Sequence, residues 1–358
     1  MIRVALDAMG GDHAPQAEVE GALAALALLP NVVVQLVGQV EVIEAELARH
    51  PGADRSRIVV VPATEVIGMA EKPLAAVRKK PNSSVVVGLG LQKAGKSDAF
   101  VSAGNTGAVL AASTVLLGIH PGVERATVAT PFPTADLPVL VLDGGANVDC
   151  SAKELVGFAR LGSVYARDVL GRERPLVGLL NIGEEDEKGN AASREAHELL
   201  KQTPGINYIG NIEGRDILAG HSKVGHVDVV VTDGFVGNIV LKFYESVARL
   251  ILRLVKRTAP DILDRADVQE VFRVLDYAEY GGAPLLGVRG VSIICHGPPA
   301  PPPSRTPSGW PRRWSRPGST STSPRSSTRA ACPPHDPPPD RRIRRSGDRG
   351  ARPHRHQR

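Results

Sequence analysis

The residues with the clearest capacity for chemistry lie in the run DAFVSAGNTGAVL, residues 98–110. A short apolar strand over 100–102 is followed by a glycine turn and then by a helix of small residues. The first N–H groups of a helix have no intrahelical partner, and the helix dipole favours an anion there, so the pattern predicts a phosphate site. Gly and Asn also form ordinary tight turns, which is the alternative. The predicted phosphate ligands are Gly104, Asn105, Thr106 and Gly107.

Four other strand ends carry the same kind of polar, glycine-rich sequence. In open parallel sheets ligands bind outside the carboxyl ends of the strands, so these ends are expected to converge on one crevice. Backbone N–H groups there suit phosphate oxygens, Asn amides suit a carbonyl, and carboxylates suit helix N-termini. Each segment alone is equally typical of a cap or a turn. The segments are 7–15, 143–149, 181–185 and 233–238.

Short apolar runs that alternate with helical segments must position these turns. The first part of the chain predicts a βαβαβ arrangement, with strands over 2–6, 32–37 and 58–61 and helices over 15–29 and 41–50. Ser83 and Ser84 are expected to cap a helix that runs to about Ala94. The fold class is therefore α/β with a mainly parallel sheet. Later strands are predicted over 127–132, 139–142, 176–182, 207–209, 227–231 and 291–294, and later helices over 151–170 and 193–202.

Charge is unevenly distributed along the 358 residues. The chain has a net charge of +5, but residues 298–358 contain 14 Arg and three Asp with no Lys or Glu, so the preceding 297 residues are net acidic. Those last 61 residues also contain 15 of the 29 prolines and few aliphatic residues. Such a composition is typical of disorder, because it buries too little apolar surface to offset the loss of chain entropy.

Other bulk features exclude several classes of protein. The longest apolar run, residues 22–29, is far shorter than the roughly 20 residues of a transmembrane helix. Acidic residues precede that run, unlike in a signal peptide. Three scattered cysteines form no CxxC pair, which favours reduced thiols without zinc. We therefore expect a cytoplasmic protein without a metal or cofactor.

Two segments outside the turns suggest contacts with partners. Residues 239–257 form an amphipathic helix with a basic polar face, which is typical of a dimer or core helix and also of a helix that contacts an anionic membrane. The apolar sequence at 281–287, expected to be a loop, would assist such membrane contact. Arg78, Lys79 and Lys80 form a compact basic group in an otherwise acidic domain.

Seven motifs at coherent spacing resemble the PlsX family of phosphate acyltransferases, and together they cover residues 1–297. The motifs are DAMGGDHAP at Asp7, SAGNTGA at Ser102, LDGGANVD at Leu142, NIGEE at Asn181, GNIEGRD at Gly210, DGFVGN at Asp233 and ICHG at Ile294.

The resemblance implies an enzyme that transfers a long-chain acyl group from acyl carrier protein to inorganic phosphate. The product would be acyl-phosphate for bacterial phospholipid synthesis. It also implies a three-layer α/β/α fold similar to the phosphotransacetylase and isocitrate dehydrogenase-like group. A homodimer is implied too, associated with the membrane near the glycerol-phosphate acyltransferase that consumes acyl-phosphate.

Attack of phosphate on a thioester needs little beyond position, charge neutralisation and an oxyanion partner, because phosphate is already anionic and a thiolate leaves readily. Within the resemblance, His13 and Lys188 are candidates to neutralise charge or protonate the leaving sulfur, and Asn147 and Asn181 to donate to the oxyanion. The basic group Arg78, Lys79 and Lys80 suits the acidic surface of acyl carrier protein. Substrate-binding or loop-orienting roles are assigned to Asp143, Glu184, Asp233, Asn238 and His296.

Two other functions stay open from the sequence. One is transfer of a short acyl group between coenzyme A and phosphate, and the other is regulation or nucleic-acid binding through the Arg-rich tail. The tail lacks aromatic interleaving, which argues against a nucleic-acid partner. After ICHG the sequence departs from the family pattern, and a frameshift is suspected. The expected division is an enzyme domain over 1–297, with its dimer or membrane-contact region at 239–290, and a disordered tail over 298–358.

Overall fold

The computed structural model describes residues 1–275 and 281–295, which form two mainly parallel sheets and a short hairpin. The strands are β1 (Ile2–Asp7), β2 (Val32–Gly38), β3 (Ile58–Pro62), β4 (Ala99–Ser102), β5 (Thr127–Val128), β6 (Thr130–Phe132), β7 (Val139–Leu142), β8 (Leu176–Leu180), β9 (Asn207–Ile212), β10 (His221–Ser222), β11 (Gly225–His226), β12 (Val229–Val231), β13 (Ala283–Leu286) and β14 (Ser292–Ile294).

Helices connect the strands and cover the sheets. They are α1 (Gln16–Leu28), α2 (Val40–Ala48), α3 (Pro73–Lys79), α4 (Ser84–Lys93), α5 (Thr106–Leu117), α6 (Ala152–Asp168), α7 (Ala191–Lys201), α8 (Gly214–Ala219), α9 (Gly234–Thr258) and α10 (Ala266–Leu275).

The strand orders explain why several polar turns meet at the same edge. The first sheet has the order β3-β2-β1-β4-β14-β13-β5 and the second β6-β7-β12-β8-β9. In the first sheet β1 pairs in parallel with β2 and β4, with Val4 beside Val34 and Ala99. Only β13 in the first sheet and β6 in the second run antiparallel to their neighbours, among the described residues.

Each sheet carries helices on both faces, because its strands are buried on both sides. In the first sheet, Leu36 packs with α1 and α2, whereas Val37 packs with α4 and α5. In the second sheet, Leu142 packs with α6 and α7, whereas Val141 packs with α8 and α9. The predicted α/β class with layers of helix, sheet and helix is confirmed.

The predicted strand over 127–132 is wrong in one respect, because the chain changes sheet at Ala129. Before it, Val128 pairs with Leu285 of β13 in the first sheet. After it, Thr130 pairs with Val141 of β7 in the second. One apolar run thus supplies edge strands to two sheets, a division that the run itself does not signal.

Two predictions about the C-terminal third are also corrected. Residues 283–286 form β13, with Ala283 and Leu285 buried, so the apolar sequence at 281–287 is not a membrane loop. The helix predicted from residue 239 begins at Gly234, where Asp233 caps it. His296 and the tail over 298–358 lie outside the described residues. Within the described part, no helix is both long and apolar enough to cross a bilayer.

Candidate functional site

The ends of β1 and β4 form the first turn group, residues 7–11 and 102–107. The Ser102 hydroxyl donates to Asp7 Oδ2 at 2.7 Å, and the Gly104 N–H donates to Ser102 Oγ at 3.1 Å. Gly10 packs directly against Gly104 and Asp7. Only glycine fits there, because a Cβ at this position would lie 2.8 Å from Gly104 N and overlap the Asp7 carboxylate. The Gly104 N–H therefore already has an acceptor within the protein, and phosphate binding by Gly104 stays a prediction.

Asn105 uses its side chain to hold the protein together. Its Oδ1 caps α5 by accepting the Ala108 N–H at 3.1 Å. Its Nδ2 lies 3.0–3.2 Å from the carbonyl oxygens of Gly68, Met69 and Glu71. Asn105 is only 8% exposed, and its side-chain amide is occupied by these bonds, so any contact of Asn105 with phosphate is left to its main-chain N–H.

The main chain at the start of α5 keeps the geometry of an anion site. Asn105 and Gly107 lie in the first turn, where N–H groups lack intrahelical acceptors. Thr106 is the first residue of the helix, and Gly107 lies against Pro73, the first residue of α3. Phosphate binding by these three main-chain positions stays a prediction.

The ends of β7 and β12 form the second turn group, residues 143–147 and 233–238. Asp143 is fully buried and accepts the N–H groups of Gly145 and Ala146 on Oδ1, at 3.0 and 2.9 Å. Its Oδ2 accepts Asn147 N at 2.8 Å and Asn147 Nδ2 at 2.6 Å. Burial raises the pKa of Asp143, and these donors lower it. Asp143 therefore organises the turn.

Asn147 has no amide hydrogen left to donate to an oxyanion. Besides the bond to Asp143, its Nδ2 donates to the Ala126 carbonyl at 2.8 Å, which uses both amide hydrogens. Asp233 caps α9 by accepting Val236 N at 2.8 Å. Asn238, on the first turns of α9, lies against Gly145, where a Cβ would come within 3.1 Å of it.

A third turn group follows β8 and carries the remaining predicted residues. Asn181 Nδ2 donates to the Lys188 carbonyl at 3.1 Å, and its Oδ1 accepts the Ile182 N–H at 2.9 Å. Asn181 thus closes the loop and retains one amide hydrogen. Glu184 pairs with Lys223 Nζ at 2.7 Å and with Arg215 at 3.6 Å. Lys188 is half-buried.

Convergence of these turn groups on one crevice stays a prediction. Ala146, in the second turn group, packs against the hydrophobic core of the first sheet. His13 is exposed in the turn before α1. Catalytic roles for His13, Lys188 and Asn181 stay predictions.

The three residues of the basic group lie in different environments. Arg78 and Lys79 are exposed on the last turn of α3. Lys80 instead pairs with Glu71 Oε1 at 2.6 Å and donates to the Val66 carbonyl at 2.7 Å. Lys80 is thus half-buried and already paired, so its charge is less available to a partner than those of Arg78 and Lys79, and its docking role stays a prediction.

The titratable groups near the turns favour a reaction without a protein nucleophile. Burial raises the pKa of Cys295 to about 11 and that of Cys150 to about 12, so both thiols are protonated at neutral pH. Two buried carboxyls were not predicted as functional. Burial raises the pKa of Asp7, and it raises that of Glu18 to about 7. Nothing in the sequence marks Glu18, because its burial depends on the tertiary fold.

Two clusters of side chains in the described part offer ligand atoms close enough for a metal ion. One cluster consists of Asp186, His197 and Glu198. Its two carboxylates already accept hydrogen bonds from Lys201 Nζ, at 2.6 Å for Asp186 and 3.1 Å for Glu198. In the other, Glu46 already pairs with Arg49 at 3.0 Å. Neither cluster includes a predicted site residue.

Sequence comparison decides the family. The model of a family described as "Fatty acid synthesis protein" matches residues 2–300. The phosphate acyltransferase of Nostoc punctiforme is 49% identical over 306 residues, which cover 83% of this chain and 88% of that protein. The chain belongs to the PlsX family of phosphate acyltransferases. The phosphate acyltransferase of Desulforamulus reducens is also 49% identical, over 83% of this chain and 89% of that protein.

Membership confirms the resemblance read from the seven motifs, and it makes the protein an acyltransferase of lipid synthesis. Solved structures agree on the fold. A phosphotransacetylase from Streptococcus pyogenes superposes with a TM-score of 0.55 at 17% identity, covering 83% of this chain and 89% of that one. The EutD phosphotransacetylase from Staphylococcus aureus gives 0.52 at 18% identity, covering 82% and 88%.

Proposed function

We propose that this phosphate acyltransferase transfers a long-chain fatty acyl group from acyl carrier protein to inorganic phosphate. The product, acyl-phosphate, would then serve phospholipid synthesis. The observation that carries the proposal is the start of α5, where the main-chain N–H groups of Asn105 and Gly107 lie at a helix N-terminus, beside a turn held by the buried hydrogen bonds of Ser102. That arrangement suits a small tetrahedral anion.

The chemistry needs no covalent relay through the protein. A phosphate oxygen attacks the thioester carbonyl carbon, the C–S bond breaks, and the carrier thiolate leaves and takes a proton. The protonated state of Cys150 and Cys295 agrees with direct transfer, because a thiol with a raised pKa is a poor nucleophile. Position and charge neutralisation then supply the rate. Lys188 and His13 are the proposed cationic groups, and Asn181 is the proposed oxyanion donor.

A donor comparison tests the proposal. The purified full chain is incubated with phosphate and either a long-chain acyl carrier protein thioester or a short-chain coenzyme A thioester, and acyl-phosphate is trapped with hydroxylamine. We expect the carrier thioester to give the higher kcat/KM. A preference for the short coenzyme A thioester would support the alternative reaction. Binding of nucleic acid that disappears when residues 298–358 are deleted would support a role for the tail.

We propose that the carrier docks on α3. Arg78 and Lys79 are exposed there, and Pro73 at the other end of the same helix touches Gly107 in the proposed phosphate site. The exposed cations thus lie one short helix away from the phosphate position. An acidic carrier surface would be attracted to them, and the attraction would weaken as salt screens it.

Charge reversal tests this docking surface. Arg78→Glu with Lys79→Glu should raise the KM for the carrier thioester at low salt by roughly tenfold, because two attractions become repulsions. The KM for phosphate should change little. Lys93→Glu with Lys96→Glu is the matched control, since both residues are exposed and lie just before β4, at the opposite edge of the first sheet. An equal rise in the control would contradict specific docking.

We also propose that α9 and α10 mediate a homodimer and contact with an anionic membrane, near the glycerol-phosphate acyltransferase. Support comes from an apolar face that the described residues leave open. Phe235, Ile239 and Phe243 on α9 are 58%, 51% and 70% exposed, and Val271 on α10 is 58% exposed. Basic residues lie on the same helix, at Arg249, Arg253, Lys256 and Arg257.

Light scattering and vesicle flotation separate these two contacts. Wild-type protein should have the mass of a dimer and float with vesicles that contain phosphatidylglycerol, but not with phosphatidylcholine alone. Phe243→Ser should reduce one or both properties. Leu28→Ser, an equally exposed apolar residue at the end of α1, is the control. A wild-type protein that is monomeric and does not float with anionic vesicles would refute both the dimer and the membrane contact.

A further inference from the structure

Asp7 is a buried carboxylate at the end of β1 that the proposed reaction does not use. It is 1% exposed, and its Oδ1 accepts the Met9 N–H at 3.1 Å. Its Oδ2 accepts the hydroxyl of Ser102, which lies 95 positions later in the chain, at 2.7 Å. The side chain therefore ties the end of β1 to the end of β4, the two strands that flank the start of α5.

The bond to Asp7 fixes the direction of the Ser102 hydroxyl. The Ser102 hydroxyl has a single proton, and that proton is donated to Asp7 Oδ2. An oxygen lone pair then faces the Gly104 N–H, which donates to it at 3.1 Å. The turn that leads into α5 is held by this two-step chain of hydrogen bonds, inside a protein region where such bonds are strong.

The turn has no room to adopt another shape. Gly10 Cα lies 3.3 Å from the position that a Cβ on Gly104 would occupy, and Gly10 itself contacts Asp7. The backbones of the two turns are therefore in contact, with the carboxylate directly beneath them. A change at Asp7 or Ser102 is therefore expected to displace Gly104, the residue that immediately precedes Asn105.

We propose that Asp7 is a positioning residue, which acts through Ser102 to hold the main-chain N–H groups of Asn105 and Gly107 in the geometry that binds phosphate. The inference rests on the proposed function for the identity of the ligand. Asp7 does not touch phosphate in this account. Its charge lies behind the turn, where hydrogen bonds from Ser102 and the backbone compensate it.

Two conservative variants test the inference by steady-state kinetics. Ser102→Ala removes the hydroxyl that links Asp7 to Gly104. Asp7→Asn keeps the size of the side chain but can donate to Ser102, which no longer fixes the hydroxyl direction. Each should raise the KM for phosphate by roughly tenfold, the effect of one lost charge-assisted hydrogen bond, and change kcat and the KM for the acyl donor much less. The double variant should be no worse than the worse single variant.

A matched control separates positioning from a general loss of packing. Ser113→Ala removes a fully buried serine hydroxyl from α5 itself, where it bonds to Ser292 Oγ at 3.1 Å. We expect an unchanged phosphate KM for this variant. If Ser102→Ala keeps the wild-type phosphate KM, or if the Asp7 and Ser102 effects add, the inference is overturned. If Asp7→Asn does not fold, Ser102→Ala against Ser113→Ala still decides.

Phosphate-dependent thermal stability keeps this test apart from the proposed function. Bound phosphate should raise the melting temperature of the wild type, and the midpoint concentration should increase roughly tenfold in Ser102→Ala. A wild type that binds phosphate but fails to acylate it would refute the proposed function and leave the positioning inference open to this measurement. A midpoint that Ser102→Ala does not shift would refute the inference alone.

Discussion

Two buried aspartates follow a leucine at a strand end, Asp7 as the last residue of β1 and Asp143 after β7, and they organise their turns in different ways. Asp143 accepts hydrogen bonds from four donor groups of residues 145–147, all within four positions of itself. Asp7 interacts with the nearby N–H groups of Met9 and Gly10 and with the hydroxyls of Ser84 and Ser102 from distant parts of the chain. The second turn group is therefore built locally, whereas the first depends on how β1 and β4 are aligned.

Because the two networks differ, we expect loss of each aspartate to have a different effect. A local network stabilises its own turn whatever lies beyond it, so its loss should appear mainly in stability. A network that spans two strands sets the relative position of their ends, so its loss should appear mainly in ligand binding. The predictions below separate these outcomes, and they are ordered by the size of the expected effect.

The largest effect is expected from Asp143→Ala. Four donor groups, two of them buried and two half-buried, lose their acceptor, and leaving such groups unpaired should lower the free energy of unfolding by about 3–5 kcal/mol. Urea denaturation followed by circular dichroism measures the loss. Asp54→Ala is the control, because that exposed aspartate is hydrogen-bonded to Ser56 alone among the described residues, through the hydroxyl and through the N–H at 2.9 Å. Its loss should cost less than about 1 kcal/mol. Similar losses in both variants would show that burial of the network contributes nothing.

The same contrast shows what the sequence could predict. The apolar runs and their Gly and Pro boundaries predicted β1, β2, β3 and α6 to within a few residues, because these elements follow from local composition. Helix caps were also predictable, as Ser83 before α4 illustrates. The positions of the polar turns at strand ends followed from the same pattern.

The sequence did not predict which group each polar side-chain atom would hydrogen-bond to. Asn147 was predicted to donate to an oxyanion, but the Ala126 carbonyl from a distant segment takes one of its hydrogens. Asn105 was predicted as a phosphate ligand, but its side-chain amide donates to the carbonyls of the loop before α3, which the sequence does not signal. Partners that arrive from another part of the chain leave no periodic signal, so residue types alone overestimate how many polar groups are available.

Glu18 should make the first turn group sensitive to pH. Its carboxyl is 8% exposed, lies next to Gly11, and has a pKa raised from 4.5 to about 7 by burial and by Asp7. The folded protein thus holds the proton more tightly than the unfolded chain. The resulting stability is present below about pH 4.5 and is lost as pH rises through about 7. The loss should reach up to about 3 kcal/mol.

Urea denaturation at pH 5 and pH 8 tests this titration. The wild type should lose stability between the two values, and Glu18→Gln should lose much less, because glutamine does not ionise. Glu20→Gln is the matched control on the same helix, since Glu20 is exposed and hydrogen-bonded only to Gln16 among the described residues. Equal pH dependence in all three proteins would exclude Glu18 as the cause.

Gly237→Ala should destabilise the second turn group by a steric clash between α9 and the turn after β7. A Cβ at Gly237 would overlap the Asp143 carbonyl oxygen, a backbone atom that cannot rotate away. We expect a loss of about 1–3 kcal/mol in the free energy of unfolding. Gly21→Ala in α1 is the opposite case, because no atom lies within 4 Å of its Cβ and alanine favours the helix. A neutral Gly237→Ala would mean that α9 can move away from β7 at no cost.

The smallest of these effects is expected at Asn105, and two substitutions there separate its two tasks. Asn105→Asp keeps an oxygen to cap Ala108 N but loses the N–H groups that hold residues 68–71, so it should disturb α3, the proposed docking helix, more than α5. Asn105→Ala loses both and should cost about 1–2 kcal/mol. Kinetics distinguish the tasks, since Asn105→Asp should raise the KM for the acyl carrier thioester more than that for phosphate. The reverse order would place the side chain at the phosphate, against the hydrogen bonds that it makes in the fold.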